Sequence, residues 1–291
     1  MAQATIGVIG GSGLYQMEGM SEVSEVNIET PFGAPSDVIS IGRVEGVPIA
    51  FLPRHGRGHR ISPSEVPSRA NIWAMKSLGV EWLLSVSAVG SMREDVAPLD
   101  FLIPDQLFDR TRSRVNSFYE GGVVVHCTFA EPFCATFSRA LREAATSLGD
   151  VKVHHGGTYL CMEGPLFSTR AESRIYRQWG VDVIGMTALP EAKLAREAEI
   201  HYATLACITD YDSWHETEAP VTVEMVIANL LHNVRNAQRV IRALAQRAAT
   251  LGEPLTCDCD HALATAVLTT PSLIPAEVKE RYRLLLGKYL S

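Results

Sequence analysis

Short apolar runs recur along the chain, and several end abruptly in glycine, hydroxyl or charged residues. They predict strands over 5–9, 37–41, 47–52, 82–86, 101–104, 157–162, 181–184 and 202–209, with 37–41 and 47–52 paired through a glycine-bearing turn. Helical spacing appears between them. Ala70, Trp73, Ala74 and Leu78 predict a helix over 64–78 that stops at Gly79, and 130–148 reads as another with Pro132 in its first turn. Further helices are expected through Trp179, from Pro190 through Ala198, and from a Thr222 cap with Glu224 in the first turn. In this last helix Val226, Leu230, Val234, Ala237, Ile241, Leu244 and Ala248 form an apolar stripe. The polar 110–122 segment reads as a surface loop, 253–275 as irregular, and 275–290 as a short closing helix. Strands alternating with helices give an α/β class.

Reactive groups belong at the strand ends, because ligands in open α/β sheets sit beyond the carboxyl ends of strands. The 202–209 run ends in Asp210 and Asp212, which are either reacting carboxyls or an ordinary turn and helix cap. Gly10, Gly11, Ser12 and Gly13 follow the first strand and suit an anion cradle. The dinucleotide fingerprint fails at Gln16, and no Gly-Lys-Ser/Thr completes a P-loop, so a plain tight turn competes. Arg54, His55, Arg57, His59 and Arg60 concentrate donors that suit phosphate, against a solvated basic loop. A third donor turn is expected at Ser87, Ala88, Val89, Gly90 and Ser91. Three such turns at one sheet edge favour an oxyanion pocket. Thr187 caps a helix or binds an anion there, whereas His126 alone reads as a loop histidine. Phe167 is either core or an aromatic face for a planar ligand.

Composition narrows the partners. At 291 residues, with 46% hydrophobic and 20% charged, the chain can build one large α/β domain with a C-terminal appendage. A net charge of -7 offers no general attraction for nucleic acid or anionic lipid. Residues 1–11 lack a basic signal region and no later stretch approaches a membrane span, so a soluble cytoplasmic protein is expected. Cys127, Cys134, Cys161 and Cys207 lie among apolar or small neighbours, as buried free thiols do.

The ordered motifs Gly10-Gly11-Ser12-Gly13-Leu14, Thr30-Pro31-Phe32-Gly33, Arg54-His55-Gly56, Arg69-Ala70-Asn71-Ile72-Trp73-Ala74, Ala130-Glu131-Pro132-Phe133-Cys134, Glu163-Gly164-Pro165, Gly185-Met186-Thr187 and Thr209-Asp210-Tyr211-Asp212 span residues 5 to about 245. Together they resemble the 5′-methylthioadenosine phosphorylases, in the trimeric or hexameric class of the purine nucleoside phosphorylase superfamily. The resemblance implies a nucleoside phosphorylase domain over 1–252, a tail over 253–291, and a mixed, partly closed sheet flanked by helices. It implies that phosphate is held by Ser12, Arg54, His55, Ser87, the Ala88 N–H and Thr187, and that Met186 packs on the ribose. Phe167 and Ser168 would flank the base, Asp210 would meet purine N7, and Asp212 would help select the exocyclic amine. His126 of a neighbouring subunit, with Val223, Val226 and Ile227, would close over the methylthio group, which implies a homotrimer or homohexamer with shared active sites. No cofactor is implied beyond phosphate as co-substrate.

The implied chemistry suits these residue types. Breaking an N-glycosidic bond builds positive charge on the sugar and negative charge on the base, so an acid is wanted at N7 and an anion opposite. A neighbouring carboxylate and partial closure would raise the Asp210 pKa toward that role. Superfamily members that prefer 6-oxopurines carry Asn at this position, so Asp210 points to adenine. Leu166 departs from the usual Arg after Glu-Gly-Pro, and Ala188-Leu189 from a usual Thr-Val. The Cys257-x-Cys259 tail resembles ends that form disulfides in some thermophilic members, with free thiols as the alternative. A zinc site needs four ligands and about three are in view around His261, so no metal is expected. Rival functions are a phosphorylase for adenosine, inosine or methylthioinosine, a phosphate-independent nucleosidase, and a binding module without turnover.

Overall fold

The computed structural model describes residues 3–11, 14, 17–215, 223–251 and 257–290, without the side chains of residues 223, 225 and 226. Among these residues eleven strands form one mixed sheet. They are β1 (Ile6–Gly10), β2 (Ser21–Val26), β3 (Ile39–Val44), β4 (Val47–Pro53), β5 (Trp82–Ser91), β6 (Phe101–Ile103), β7 (Gln106–Arg110), β8 (Val153–His155), β9 (Thr158–Met162), β10 (Val183–Gly185) and β11 (His201–Asp210). The helices are α1 (Ser68–Ser77), α2 (Ala135–Thr146), α3 (Arg170–Gln178), α4 (Ala188–Glu197), α5 (Val223–Gln246), α6 (Ala276–Arg281) and α7 (Arg283–Leu286).

β5 is the axis of the sheet. One edge pairs in parallel with β11 from Trp82 to Gly90. The other pairs with β1 as far as Val86, and where β1 ends β10 takes over antiparallel at Gly90 and Ser91. From β10 the sheet continues through β9 to β7, from β1 through β4 and β3 to β2, and from β11 through β6 to β8. The sheet therefore forks and stays open, where a partly closed one was expected. β1 is too short to hold the whole edge of β5, so the strands diverge instead of wrapping round.

Both faces of the central strands are covered, which is why these strands read as unbroken apolar runs. Along β11, Tyr202, Ala206 and Ile208 join the cluster under α1, α4 and the C-terminal helices, while Ala203, Leu205 and Cys207 join that under α2 and α5. Val234, Ala237, Ile241 and Leu244 of the expected α5 stripe are buried; Thr222 lies outside the described residues. Other expectations change as well. The 87–91 turn is strand, because Gly90 pairs on both sides. The 110–122 loop buries Arg114 and Phe118, and the strand β7 runs into it. The closing helix breaks at Tyr282, whose buried hydroxyl donates to the Phe118 carbonyl at 2.7 Å. Helices α1 and α2 also start later than expected, after Pro67 and at a Cys134 cap.

Candidate active site

The carboxyl end of β11 is held by side chains of α5. Asn233 Nδ2 donates to the Ile208 carbonyl at 2.8 Å and Asn229 Nδ2 to that of Thr209 at 2.7 Å, which stops the ladder and turns the chain. Asp210 is 6% exposed and Asp212 is 8% exposed. Asp210 Oδ1 accepts the Asp212 N–H at 2.8 Å. Its Oδ2 accepts from the Thr209 hydroxyl at 2.7 Å, and the Val89 carbonyl 3.2 Å away offers that hydroxyl another acceptor. Asp212 Oδ2 accepts from Ser173 Oγ of α3. Burial raises the pKa of both carboxyls, opposed for Asp210 by the Thr209 and Asp212 bonds.

The chain around this pair is anchored rather than loose. Trp214 Nε1 donates to the Ser91 carbonyl at 2.7 Å, and the Arg177 guanidinium lies 3.8 Å above the indole ring. Ser213 Oγ donates to the Ser168 carbonyl at 2.9 Å, so Ser168 is buried beside the aspartates while neighbouring Phe167 stays 46% exposed. Gly90 makes room for the acid: a Cβ there would lie 2.9 Å from Asp210 Oδ1 and 3.2 Å from Asp212 Cβ.

The donor groups gather at the ends of β1, β4 and β5. The Arg54 N–H donates to the Gly10 carbonyl at 2.9 Å, tying two of these ends together. Its guanidinium is 2% exposed. Nε and Nη2 donate to Glu191 of α4, Nη2 to Ser85 Oγ at 2.7 Å and the Ile9 carbonyl at 3.1 Å, and Nη1 to the Val86 carbonyl at 3.0 Å. Of the five N–H groups, these partners account for four, leaving one Nη1 hydrogen. His55 stacks on His59 at 4.4 Å, and its Nδ1 lies 2.9 Å from the Ile61 carbonyl. Burial and the Arg54 charge lower its pKa to about 4, so the ring is neutral and Nδ1 carries the proton that the carbonyl accepts. Ser87 Oγ and Thr187 Oγ1 are 2.8 Å apart, joining β5 to the start of α4.

Ala88 lies between the two groups. It is the one exposed position in the otherwise buried β5, with Ser87 on one side and Gly90 two residues on. Met186 lies next to Thr187 and against Gly164, whose φ is +69° and where a Cβ would lie 2.5 Å from the methionine sulfur, so a larger residue is strained there. Arg114 holds this wall in place. Its Nη1 donates to the carbonyls of Met186 and Leu189 at 2.6 and 2.5 Å, and its Nη2 to that of Glu163 at 2.6 Å.

The remaining expected residues are placed differently. Ser12 lies outside the described residues, as do the side chains of Val223 and Val226. Ile227 is exposed on the first turns of α5. His126 is exposed on a segment bridged to the tail through Val125 and Val267, and its N–H donates to the Ala266 carbonyl at 2.9 Å. No hydrogen bond joins it to either group among the described residues. Sequence reasoning missed Glu191, Ser173 and Arg114; only Glu191, a lone acid amid the apolar start of a helix, carried a signal.

Residues 5–246 match the family described as the phosphorylase superfamily. The chain belongs to the phosphorylase superfamily. Among its relatives in the superfamily, S-methyl-5′-thioadenosine phosphorylase of Chloroflexus aurantiacus is 57% identical over 293 residues, covering 100% of both chains. That of Gloeobacter violaceus is 54% identical over 99% of this chain and 96% of its own. A methylthioadenosine phosphorylase from an antarctic soil metagenomic library superimposes with a TM-score of 0.93 at 49% identity, covering 98% and 100% of the two chains. A mutant adenosine/methylthioadenosine phosphorylase from Schistosoma mansoni, in complex with methylthioadenosine, has a TM-score of 0.83 at 36% identity over 89% and 96%.

Proposed function

We propose that the chain catalyses reversible phosphorolysis of S-methyl-5′-thioadenosine to adenine and 5-methylthioribose 1-phosphate, a salvage reaction. The observation that carries this is the buried Asp210, raised in pKa, set along β5 from the Ser87, Thr187 and Arg54 donors with exposed Ala88 between. Phosphate oxygen bonds to the ribosyl C1′ as the bond from C1′ to N9 breaks. The electron pair leaves with adenine, and the Asp210 proton passes to N7. Ser12, the free Arg54 hydrogen, His55, Ser87, the Ala88 N–H and Thr187 hold the anion. Neutral His55 can serve it with its backbone N–H, or with Nε2 accepting from a protonated phosphate oxygen. Met186 supports the ribose, Phe167 and Ser168 flank the base, and Asp212, oriented by Ser173, reads the exocyclic amine. Phosphate enters as the co-substrate, and the proposed reaction uses no cofactor.

The methylthio group is covered by Val223, Val226 and Ile227 with His126 of a second copy, in a homotrimer or homohexamer. Exposed Val124 and Leu268, paired beside His126 through the bond from Leu268 N–H to the Val124 carbonyl at 2.9 Å, give that face an apolar surface suited to association. Initial rates of adenine release from S-methyl-5′-thioadenosine, adenosine and inosine, with and without phosphate, test the reading. Release is expected only with phosphate and fastest from the methylthio substrate; phosphate-independent turnover or preference for inosine overturns it. Gly90→Ala is expected to lower kcat/KM about a hundredfold by pushing Asp210 from the base, with an unchanged circular dichroism spectrum.

A further inference from the structure

The far end of β11 carries a second cluster, unrelated to the phosphorolysis residues. Cys134 caps the start of α2, His201 opens β11, and Cys257 and Cys259 come from the tail that follows α5. The three Sγ atoms and His201 Nδ1 all lie within 4.8 Å of one another. Cys134 Sγ is 3.3 Å from Cys257 Sγ and 3.4 Å from His201 Nδ1, and Cys257 Sγ is also 3.4 Å from that nitrogen. Cys134, His201 and Cys259 are buried, and Cys257 is half-buried. The imidazole is fixed by stacking on Trp82, with centroids 4.0 Å apart and planes 14° from parallel.

We propose that Cys134, His201, Cys257 and Cys259 form a structural Cys3His site for a tetrahedral divalent metal, zinc above all. In a tetrahedron with zinc to sulfur bonds of about 2.3 Å, ligand sulfurs lie about 3.8 Å apart and sulfur and nitrogen about 3.6 Å, close to the spacing found. Four soft or borderline ligands with no carboxylate select zinc over magnesium or calcium. A disulfide would use two sulfurs and leave a third thiol and an imidazole gathered for no purpose, while thiols are too weak as hydrogen-bond partners to gather this way unaided. His261, in view beside the tail cysteines in the sequence, is exposed next to Asp260 and outside the cluster, which Cys134 and His201 complete from positions distant in sequence.

The metal would fasten the tail to the sheet. β11 runs from His201 at this cluster to Asp210 at its other end, roughly 30 Å of strand, so the cluster takes no part in the chemistry. Its reach is toward His126, since the tail it anchors supplies the Ala266 carbonyl and the Val267 bridge that hold the His126 segment.

Elemental analysis of the full chain, purified under reducing conditions, should find one zinc per chain. Cys257→Ser and Cys259→Ala should each lose it, and Cys127→Ala should keep it. Wild-type protein stripped of metal should bind one cobalt(II) with the visible bands and the thiolate charge-transfer absorption of a tetrahedral sulfur site. The cobalt titration does not depend on any variant folding, and neither measurement depends on nucleoside turnover. Metal-free protein that binds no cobalt, or a disulfide found by mass spectrometry between any two of these cysteines in freshly purified protein, would overturn the proposal.

Discussion

Asp210→Ala is expected to lower kcat/KM for S-methyl-5′-thioadenosine by about a hundred- to ten-thousandfold, the range lost with a general acid. The variant removes the proton donor, while the serine and threonine hydroxyls at the other end of the site are untouched. Asp210→Asn is the sharper probe, because an amide still donates a hydrogen bond but cannot give up a proton. Its loss should be smaller with 6-oxopurine nucleosides than with the methylthio substrate. The pH profile follows from burial. Asp210 is raised in pKa, and the protonated form is the active one, so kcat/KM should fall as pH rises through that raised value. In Asp210→Asn this alkaline limb should vanish. Stability carries the same sign: a carboxyl raised in the folded state stabilises below its unfolded value and loses that contribution as pH rises through the folded one. The Asn variant should therefore melt above wild type at pH 7, with the gap closing toward pH 4. An Asn variant that keeps the wild-type pH profile, measured from initial rates across the range, would remove Asp210 from the role of acid.

The parts of this architecture that local physics dictates were legible in the sequence. β1, β4 and β11 are apolar runs cut off by glycine or charge, and burial on both faces demands that pattern. The acid end was visible because Asp210 and Asp212 interrupt such a run. What stayed hidden depends on contacts distant in sequence. Ser87 to Ser91 has the small residues of a turn, yet it continues as strand because Gly90 must lie beneath the Asp210 carboxyl. The 110–122 segment looks like surface because its polarity does not show that Arg114 spends its donors on backbone carbonyls of two other segments. Cys134 read as an isolated thiol, since nothing local announces that His201 and the tail converge on it. The open sheet was misjudged for a related reason: the forking of β5 is set by where β1 stops and β10 arrives.

Glu191→Ala should be the most destabilising single change at the donor end, by about 3–5 kcal/mol, the cost of stranding one member of a buried ion pair. Against a total stability of about 5–15 kcal/mol, that loss is large enough to lower the melting temperature and the yield of folded protein. Arg54 and Glu191 are both almost fully removed from water. Without the carboxylate, the guanidinium keeps only the Ser85 hydroxyl and the Ile9 and Val86 carbonyls. The Tyr202 hydroxyl, 3.3 Å from Glu191 Oε2, loses that acceptor as well. Arg54→Met should cost a similar amount by leaving the carboxylate unpaired. The double variant Arg54→Met with Glu191→Leu should recover most of the stability, because a buried pair replaced by apolar side chains is often neutral. Phosphate handling should not recover with it, since the remaining Nη1 hydrogen of Arg54 is gone, and the KM for phosphate should stay raised in both Arg54 variants. Denaturant melts of wild type, Arg54→Met, Glu191→Leu and the double variant, with phosphate saturation curves for each, separate the two roles. Additive stability losses would mean the pair is not the coupled unit its geometry describes, and a wild-type phosphate KM in the double variant would leave Glu191 and Arg54 as a structural pair alone.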